Sequence, residues 1–412
     1  MIKFLTGFIL LISLTNTVFA WNNHAGITYL ALKDHWKNPP SVKVESLKSF
    51  LQKEKNSIHT VIDDADIWAM ERLPHLTKRS EELNFNPKDK NLTTSFFKAL
   101  RLNPNHKASL YVQSVTARNK NSFPLTELTN LNDKGKLVNE SFQRLSEGNQ
   151  TRADEVVITA VDEPDYDLDL YLFEESESEV GKIYGFGAQP FGNPKYEYSS
   201  QAPFHMGFYF EPGIIFTLAG FLKKTYPEFR IYQFTKLSEH AFRTGHPYWG
   251  YRFAGWALHY IQDLTQPYHS SVLPRVGASK QIGVQILSMV GIESPKNNMI
   301  DYVSNRHTLI EEYQYYLIRN IIETKNWNHP VAVSIQNLSL KGKWQGLDFI
   351  RTDVAKEAYD AANKADEELE NLNLTIYEKL YEADHPIHTI LGTLLQNTSK
   401  HTRLYLDALP IR

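Results

Sequence analysis

Two histidine–carboxylate pairs have the spacing of metal ligands on a helix. In GWALHYIQDLTQPYHS, His259 and Asp263 are four residues apart, and His269 follows Asp263 by six. His307 and Glu311 repeat the four-residue spacing in RHTLIEEYQ. Side chains four residues apart lie on one face of a helix, and the proline before His269 predicts that the first helix ends there. Imidazoles and carboxylates bind divalent ions, so the pattern predicts a metal site.

The four-residue spacing is not specific by itself. With 15 histidines and 47 acidic residues among 412, about 1.7 such pairs are expected by chance. The chain has three, because His59 and Asp63 form another. Each pair alone is better explained by a hydrogen-bonded or surface-paired histidine than by a metal ligand. The prediction of a metal site therefore depends on combining these pairs with residues near the N-terminus.

The first twenty residues have the pattern of a secretory signal peptide. Lys3 precedes the apolar run FLTGFILLISL, and Val18-Phe19-Ala20 ends the segment with small residues on either side of Phe19. This order of charge, apolar run and small-residue exit predicts export and cleavage after Ala20. The alternative is a membrane anchor, for which the apolar run is short.

Cleavage after Ala20 makes Trp21 the new N-terminus. A free α-amino group titrates at about 7.7–8.0 and has a lone pair when it is neutral. The sequence WNNH places His24 three residues later, close enough to share a metal ion with that amine. The alternative is a hydrophobic start followed by a surface histidine.

Composition limits the function classes. The mature chain of 392 residues is long enough for one large domain or two, and losing Lys3 changes the formal charge from −3 to −4. This balance gives no electrostatic footprint for duplex nucleic acid. The chain has no cysteine, so an exported form has no disulfides and any metal site uses His, Asp, Glu or backbone groups. We expect a soluble product that is secreted or periplasmic.

Helical periodicity dominates wherever a pattern is clear, as in SVKVESLKSFLQKE and MIDYVSNRHTLIEEYQYYLIRNIIE. Residues 105–200 are rich in turn formers and predict a loop-rich insertion with a few strands. The stretch 326–346 separates a tail of amphipathic helices from the rest. The predicted organisation is a signal peptide at 1–20, a helical domain at 21–325 containing the insertion, and a C-terminal helical extension at 326–412.

These motifs together resemble the zinc-dependent bacterial phospholipase C family. They are also similar to the related plant and fungal zinc-dependent single-strand nucleases. The resemblance is carried by the mature N-terminal Trp21, by His24 at the fourth position and by HYIQDLTQPYH, which matches the family's His-x3-Asp-x5-His. It implies an all-α fold with three zinc ions, and it makes the amino nitrogen and carbonyl oxygen of Trp21 zinc ligands beside His24.

The resemblance assigns the other ligands position by position. His259 and Asp263 serve a pair of zinc ions, with Asp263 bridging both, and one of the two is the zinc held by Trp21 and His24. The third zinc is held by His269, His307 and Glu311. The segment PFHMGFYFEP is similar to the family's His-Phe-Tyr-x-Pro element, which implies that His205 binds the zinc that His259 also binds. His75 is the weaker alternative.

The resemblance implies one more ligand, an aspartate, and two segments match its motif. DDADIW offers Asp66, at the family's distance from the N-terminal tryptophan, and TAVDEPDYD offers Asp162, nearer to His205. We select Asp162, which the resemblance makes both a zinc ligand and a general base. Asp165 and Asp167 are predicted as partners that orient ligand histidines. DEPDYDLD and YGFGAQPFGNP are also similar to a larger subgroup of secreted phospholipases C of Gram-negative bacteria.

The resemblance implies a secreted phospholipase C. Three zinc ions would activate water against the glycerol–phosphate ester of a phospholipid such as phosphatidylcholine, giving diacylglycerol and phosphocholine. The expected partners are the phospholipid and, transiently, a membrane surface, with no nucleic acid. Aromatic side chains of the insertion could bind choline; they are Tyr166, Tyr184, Phe186 and Tyr209. The alternatives are a zinc nuclease or nucleotidase on the same metal core and a non-catalytic secreted helical binding protein.

Overall fold

The computed structural model describes residues 21–116, 123–176, 178–289, 291–340, 342–370, 372 and 385–410. The chain is mostly helical, with 57% helix and 4% strand, so the predicted all-α fold is confirmed. The predicted signal peptide and its cleavage site at Ala20 lie outside the described residues. Within the described part of the chain, no helix combines the length and the apolar character needed to cross a bilayer.

The first part of the chain surrounds two small sheets. Its helices are α1 (His24–Leu32), α2 (Leu47–Glu54), α3 (Ile58–Arg72), α4 (Leu92–Ala99) and α5 (Ala153–Ala160). Strand β1 (Ser41–Lys43) pairs antiparallel with β4 (Gln150–Arg152), and β2 (Tyr111–Ser114) pairs antiparallel with β3 (Ser141–Arg144). Three of these strands fall in the region 105–200, where a few strands were predicted. The region also contains α5, which the turn-rich composition did not predict.

Helix α5 forms because its ends and its apolar face are both satisfied. Glu155, at the third position, accepts a hydrogen bond from the backbone N–H of Arg152, as in a capping box. Val156 and Val157 are buried against the rest of the protein. A carboxylate at a helix start also interacts favourably with the helix dipole.

A pair of long helices forms the centre of the protein. They are α8 (Pro227–Arg243) and α9 (Pro247–Asp263), and each begins with a proline, a residue well suited to the first helical position. Every residue of α9 after Pro247 is buried, so this helix is surrounded by protein on all sides. Gly255 permits the close approach of α5, because a Cβ at this position would lie 2.5 Å from Cβ of Ala160.

The second half of the chain adds further helices around this centre. They are α6 (Ala202–His205), α7 (Gly213–Leu218), α10 (Pro267–Ser270), α11 (Ala278–Met289), α12 (Ser294–Thr324), α13 (Pro330–Gln336), α14 (Lys356–Glu370) and α15 (Pro386–Asp407). One hydrophobic core joins Trp21 and Ile27 to residues of α12, α13 and α15, among them Leu317, Val331 and Leu391. The core therefore continues across the predicted domain boundary between residues 325 and 326.

Candidate metal centre

The C-terminal end of α9 presents His259 and Asp263 on one face. Nε2 of His259 lies 3.2 Å from Oδ2 of Asp263, as the four-residue spacing predicts. Nδ1 of His259 donates a hydrogen bond to the carbonyl oxygen of Val161 at 2.7 Å. This bond orients the ring and leaves the lone pair on Nε2 directed at the carboxylate. Both side chains are fully buried.

His205, at the end of α6, joins this pair. Its Nδ1 lies 2.8 Å from Oδ2 of Asp263 and 3.0 Å from Nε2 of His259. These three side chains form one of three groups, among the described residues, whose ligand atoms all lie within 4.8 Å of one another. The structure therefore brings together His205, His259 and Asp263, and the weaker alternative His75 lies elsewhere, beside the backbone carbonyl of Thr225.

A second group contains His24, Asp165 and His259. Nε2 of His24 lies 4.0 Å from Oδ2 of Asp165, and Nε2 of His259 lies 3.5 Å from Oδ1 of Asp165. Nε2 of His24 is also 3.4 Å from Oδ1 of Asp263. Because His259 belongs to both groups and Asp263 contacts all three histidines around it, the two groups form a continuous cluster. This is the arrangement expected if Asp263 bridges two ions.

The third group contains His269, His307 and Glu311. Nε2 of His269 lies 3.0 Å from Nε2 of His307, which is 2.5 Å from Oε1 of Glu311. His269 is tied to the first group, since its Nδ1 donates to the carbonyl oxygen of His205 at 2.9 Å. The predicted ligands on α10 and α12 thus meet although 38 residues separate the two histidines.

Several polar atoms in the cluster are buried without a hydrogen-bonding partner. Within the described part of the chain these include Nε2 of His24, Nε2 of His205 and Oδ1 of Asp263. Buried polar groups are nearly always paired, so such a concentration needs an explanation. The facing imidazole nitrogens also lie close enough to direct their lone pairs at a common cation. The residues present therefore fit a cluster of metal ions, and their nitrogen and oxygen donors without sulfur suit zinc.

The electrostatic field of the cluster favours positive charge beside His24. Burial opposes protonation of this imidazole, yet the neighbouring carboxylates of Asp263 and Asp165 raise its pKa to about 9. Burial lowers the pKa of His269 to about 4 and holds the pKa of His307 well below its usual value. His269 and His307 are therefore neutral at pH 7, the form in which imidazole binds metal.

The two aspartates of the cluster respond differently to burial. Burial raises the pKa of Asp165 to about 7. Burial also acts on Asp263, but the neighbouring His259 and His205 outweigh it and hold the pKa of Asp263 well below its usual value. Asp263 is therefore ionised at the centre of the cluster, whereas burial favours the protonated form of Asp165.

The structure places Asp165, instead of the selected Asp162, in the ligand group. Asp162 accepts hydrogen bonds from the backbone N–H of Ala25 at 2.9 Å and from Nε2 of Gln113 at 2.8 Å. Both of its oxygens are thus bonded to protein donors. Asp165 follows Pro164 in a short π-helical turn, Pro164–Leu168, that directs its carboxylate to the cluster. The sequence signal is the third acidic residue of VDEPDYD, for which the sequence predicted only an orienting role.

The other candidate, Asp66, lies in an ion-pair network away from the cluster. Its Oδ1 is 2.7 Å from Arg101 and its Oδ2 is 2.9 Å from Arg79. Two guanidinium groups neutralise this buried carboxylate. Asp66 belongs to none of the three groups found among the described residues.

Trp21 lies directly before α1, the helix that carries His24. Its fully buried indole donates from Nε1 to Oγ1 of Thr265 at 3.0 Å, and its carbonyl oxygen accepts from the backbone N–H of Asn23. The ligand role of its amino group depends on cleavage after Ala20 and stays a prediction.

A cleft opens beside Asp165 and the residues that precede α1. Its lining contains two of the three aspartates of the VDEPDYD segment, the carboxylate Glu140 and three tyrosines, and the lining residues are Asn22, Asn23, Leu131, Leu137, Glu140, Asp162, Asp165, Tyr166, Tyr198 and Tyr315. Of the four aromatic residues predicted for choline binding, only Tyr166 is among them. Tyr184 and Phe186 are buried in the largest hydrophobic core, and Tyr209 packs against it.

The cluster combines residues from α1 to α12 with a cleft at its edge. The side chain of Asp165 is 16% exposed, whereas those of His24, His259 and Asp263 are fully buried. Solvent and small molecules therefore reach the cluster from the side of Asp165. No family model, curated protein or solved structure matches this chain.

Proposed function

We propose that the protein is a secreted zinc-dependent phospholipase C. It hydrolyses the glycerol–phosphate ester of phospholipids such as phosphatidylcholine and releases diacylglycerol and phosphocholine. The observation that carries the proposal is the contact between the three His/carboxylate groups: two of them share His259, and His269 of the third lies 3.9 Å from Asp263. Closely spaced divalent ions suit the cleavage of a phosphodiester, whose substrate and transition state are both anionic.

Zinc would be held by all three groups. His24 and Asp165 would hold one ion and His205 and His259 a second, with Asp263 beside both pairs, and the third group of His269, His307 and Glu311 would hold another. The amino group of Trp21 adds a further donor beside His24 once the chain is cleaved. Bound zinc lowers the pKa of a coordinated water to about 7 and neutralises charge on the phosphate oxygens.

The protein's own side chains orient the imidazole ligands and exclude bulk water. Hydrogen bonds from Nδ1 of His259 to Val161 and from Nδ1 of His24 to Gln262 fix both imidazoles with Nε2 toward the cluster. Asp165, at the open edge, is placed to accept a hydrogen bond from water entering along the cleft. The buried wall behind Asp263 keeps bulk water from the other side of the cluster.

The lining of the cleft is suited to binding a phosphocholine head group. Tyr166, Tyr198 and Tyr315 provide aromatic faces, and Glu140 provides a carboxylate. A quaternary ammonium group binds by contact with aromatic faces and by attraction to negative charge. With the ammonium group bound on the cleft side of Asp165, the phosphate of the same head group would lie next to the metal cluster.

The test uses the mature chain, Trp21–Arg412, purified after signal cleavage. We expect one zinc ion for each of the three groups, hydrolysis of a chromogenic phosphocholine ester, and release of phosphocholine from phosphatidylcholine vesicles. His259→Ala should remove most of the zinc and of the activity while helix content is largely retained. His59→Ala is the matched control, since His59 has the same His-x3-Asp spacing but is exposed on α3.

Two outcomes would contradict the proposal. A protein without bound zinc supports a binding protein whose histidines are structural. Zinc combined with cleavage of single-stranded nucleic acid, but without phosphocholine release, supports the nuclease. Equal loss of zinc in the His259 and His59 variants would show that the assay reports general unfolding.

A further inference from the structure

The C-terminal helix α15 reaches His24 through one glutamine. Nδ1 of His24 hydrogen-bonds to Oε1 of Gln262 at 2.9 Å. Nε2 of Gln262 donates to Oγ1 of Thr28 on α1 and to Oγ1 of Thr402 on α15, each at 2.9 Å. All four side chains lie at fully buried positions, so water does not replace a lost hydrogen bond there.

In the neutral imidazole that binds a metal ion, this arrangement of hydrogen bonds places the hydrogen of His24 on Nδ1. The amide of Gln262 offers an acceptor on one side and a donor on the other. With both N–H groups taken by the hydroxyls of Thr28 and Thr402, its oxygen faces Nδ1 of His24. Nδ1 then carries the hydrogen, and the lone pair is on Nε2, the atom that faces Asp165 and Asp263. A reversed amide would present N–H to Nδ1 and move the proton to Nε2.

Two parallel contacts connect the same C-terminal segment to other parts of the cluster. Oγ1 of Thr398 lies 2.7 Å from Oγ1 of Thr265, which accepts the indole N–H of Trp21. On α14, Oδ1 of Asp366 accepts a hydrogen bond from the hydroxyl of Tyr268 at 2.7 Å.

The ring of Tyr268 in turn stacks on His307, with ring centres 5.8 Å apart. The C-terminal helices thus contact the surroundings of both the His24 group and the His307 group. Such contacts behind a ligand fix its orientation.

We propose that Thr402 is a positioning residue for the metal centre, which acts through Gln262 to hold His24 in the tautomer that binds zinc. The inference rests on the metal centre of the proposed function but not on the reaction that it catalyses. It gives the segment after residue 326 a role in the site, where the sequence had indicated only additional helices.

The test measures zinc retention during titration with a chelator. Thr402→Val keeps the side-chain shape but removes the hydroxyl. We expect this variant to release the zinc held by His24 at a chelator concentration about tenfold or more below that of the unaltered protein, the usual effect of losing an orienting partner. Thr402→Ser restores the hydroxyl and should restore retention. Thr393→Val is the control, because Thr393 is on the exposed side of the same helix.

A double-mutant comparison separates positioning from packing. In a His24→Ala background, Thr402→Val should change zinc retention no further, because the residue through which it acts is gone. Thermal unfolding of the zinc-free variants records any change in packing independently of metal. Equal weakening of all three zinc ions, or an undiminished effect in the His24→Ala background, would overturn the inference.

The same experiment distinguishes this inference from the proposed function. Zinc that is retained normally in Thr402→Val overturns the positioning role alone. A protein that loses zinc as expected but hydrolyses no phosphocholine ester retains the positioning role and loses the proposed activity. An unaltered protein that binds no zinc overturns both.

Discussion

At the residue scale, the identity of the aspartate in the cluster shows what a local sequence motif can and cannot predict. The VDEPDYD segment was selected by its resemblance to a family element, with Asp162 as the expected ligand and Asp165 as an orienting partner. The structure separates them, because backbone and amide donors surround Asp162 while histidines surround Asp165. Which acid faces the histidines depends on the turn that follows Pro164. The conformation of such a turn cannot be read from a periodic spacing of residue types in the sequence.

This difference leads to opposite expectations for two isosteric variants. Asp165→Asn removes the negative charge between His24 and His259, so the zinc affinity of the His24 group and phosphocholine ester hydrolysis should both fall at least about tenfold. Asp162→Asn places an amide N–H opposite the donor of Gln113, which should lower the free energy of unfolding by about 1–3 kcal/mol, with zinc retained. Metal analysis and denaturant unfolding measure the two effects. Loss of zinc from the Asp162 variant alone would restore Asp162 as the ligand.

At the scale of helices and strands, the sequence predicted contacts between residues of one helix better than contacts between different helices. The spacings of His259 with Asp263 and of His307 with Glu311 are properties of one helix, and both pairs are in contact. The approach of α5 to α9 depends on packing between segments about a hundred residues apart. The glycine that allows it, Gly255, is a single residue in an apolar helix. Helix α5 itself was not predicted, because the sequence around it is rich in turn formers.

Gly255 offers a test of this close approach. Gly255→Ala brings a Cβ within 2.5 Å of Cβ of Ala160, so α9 and α5 must separate. We expect a loss of about 1–3 kcal/mol in the free energy of unfolding, although alanine is the better helix former. Gly283→Ala in α11 meets no atom within 4 Å and should gain up to about 1 kcal/mol. Denaturant titration of both variants checks the signs, and equal effects would contradict the packing argument.

At the scale of the whole molecule, the first and last segments that the structure describes share one hydrophobic core. Trp21 shares a core with Leu317 and Leu391, and its indole is bound through Thr265 to the surroundings of α15. The sequence predicted the helices of the C-terminal segment but not this contact, since no short-range pattern records which distant helices share a core. Gln262 shows the same limit, because a glutamine before Asp263 carries no signal for binding His24.

The predicted amine ligand is testable at this scale. Adding one alanine before Trp21 converts the terminal amine into a peptide nitrogen, which is a poor metal ligand. The extended protein should lose one zinc ion and most of its activity, measured by metal analysis and phosphocholine ester hydrolysis. One alanine added after Arg412 is the control. Unchanged zinc content in the N-terminal variant would exclude the amine as a ligand.

The connection from His24 on α1 to Thr402 on α15 has a consequence for biosynthesis. Residues 24 and 402 are far apart in the polypeptide, and their hydrogen bonds through Gln262 form only after both have emerged from the ribosome. On the proposed assignment, a nascent or truncated chain lacks the support for its first metal-binding imidazole. Zinc retention and lipid hydrolysis would then become complete only after the C-terminal helix has been synthesised and has packed onto the rest of the chain.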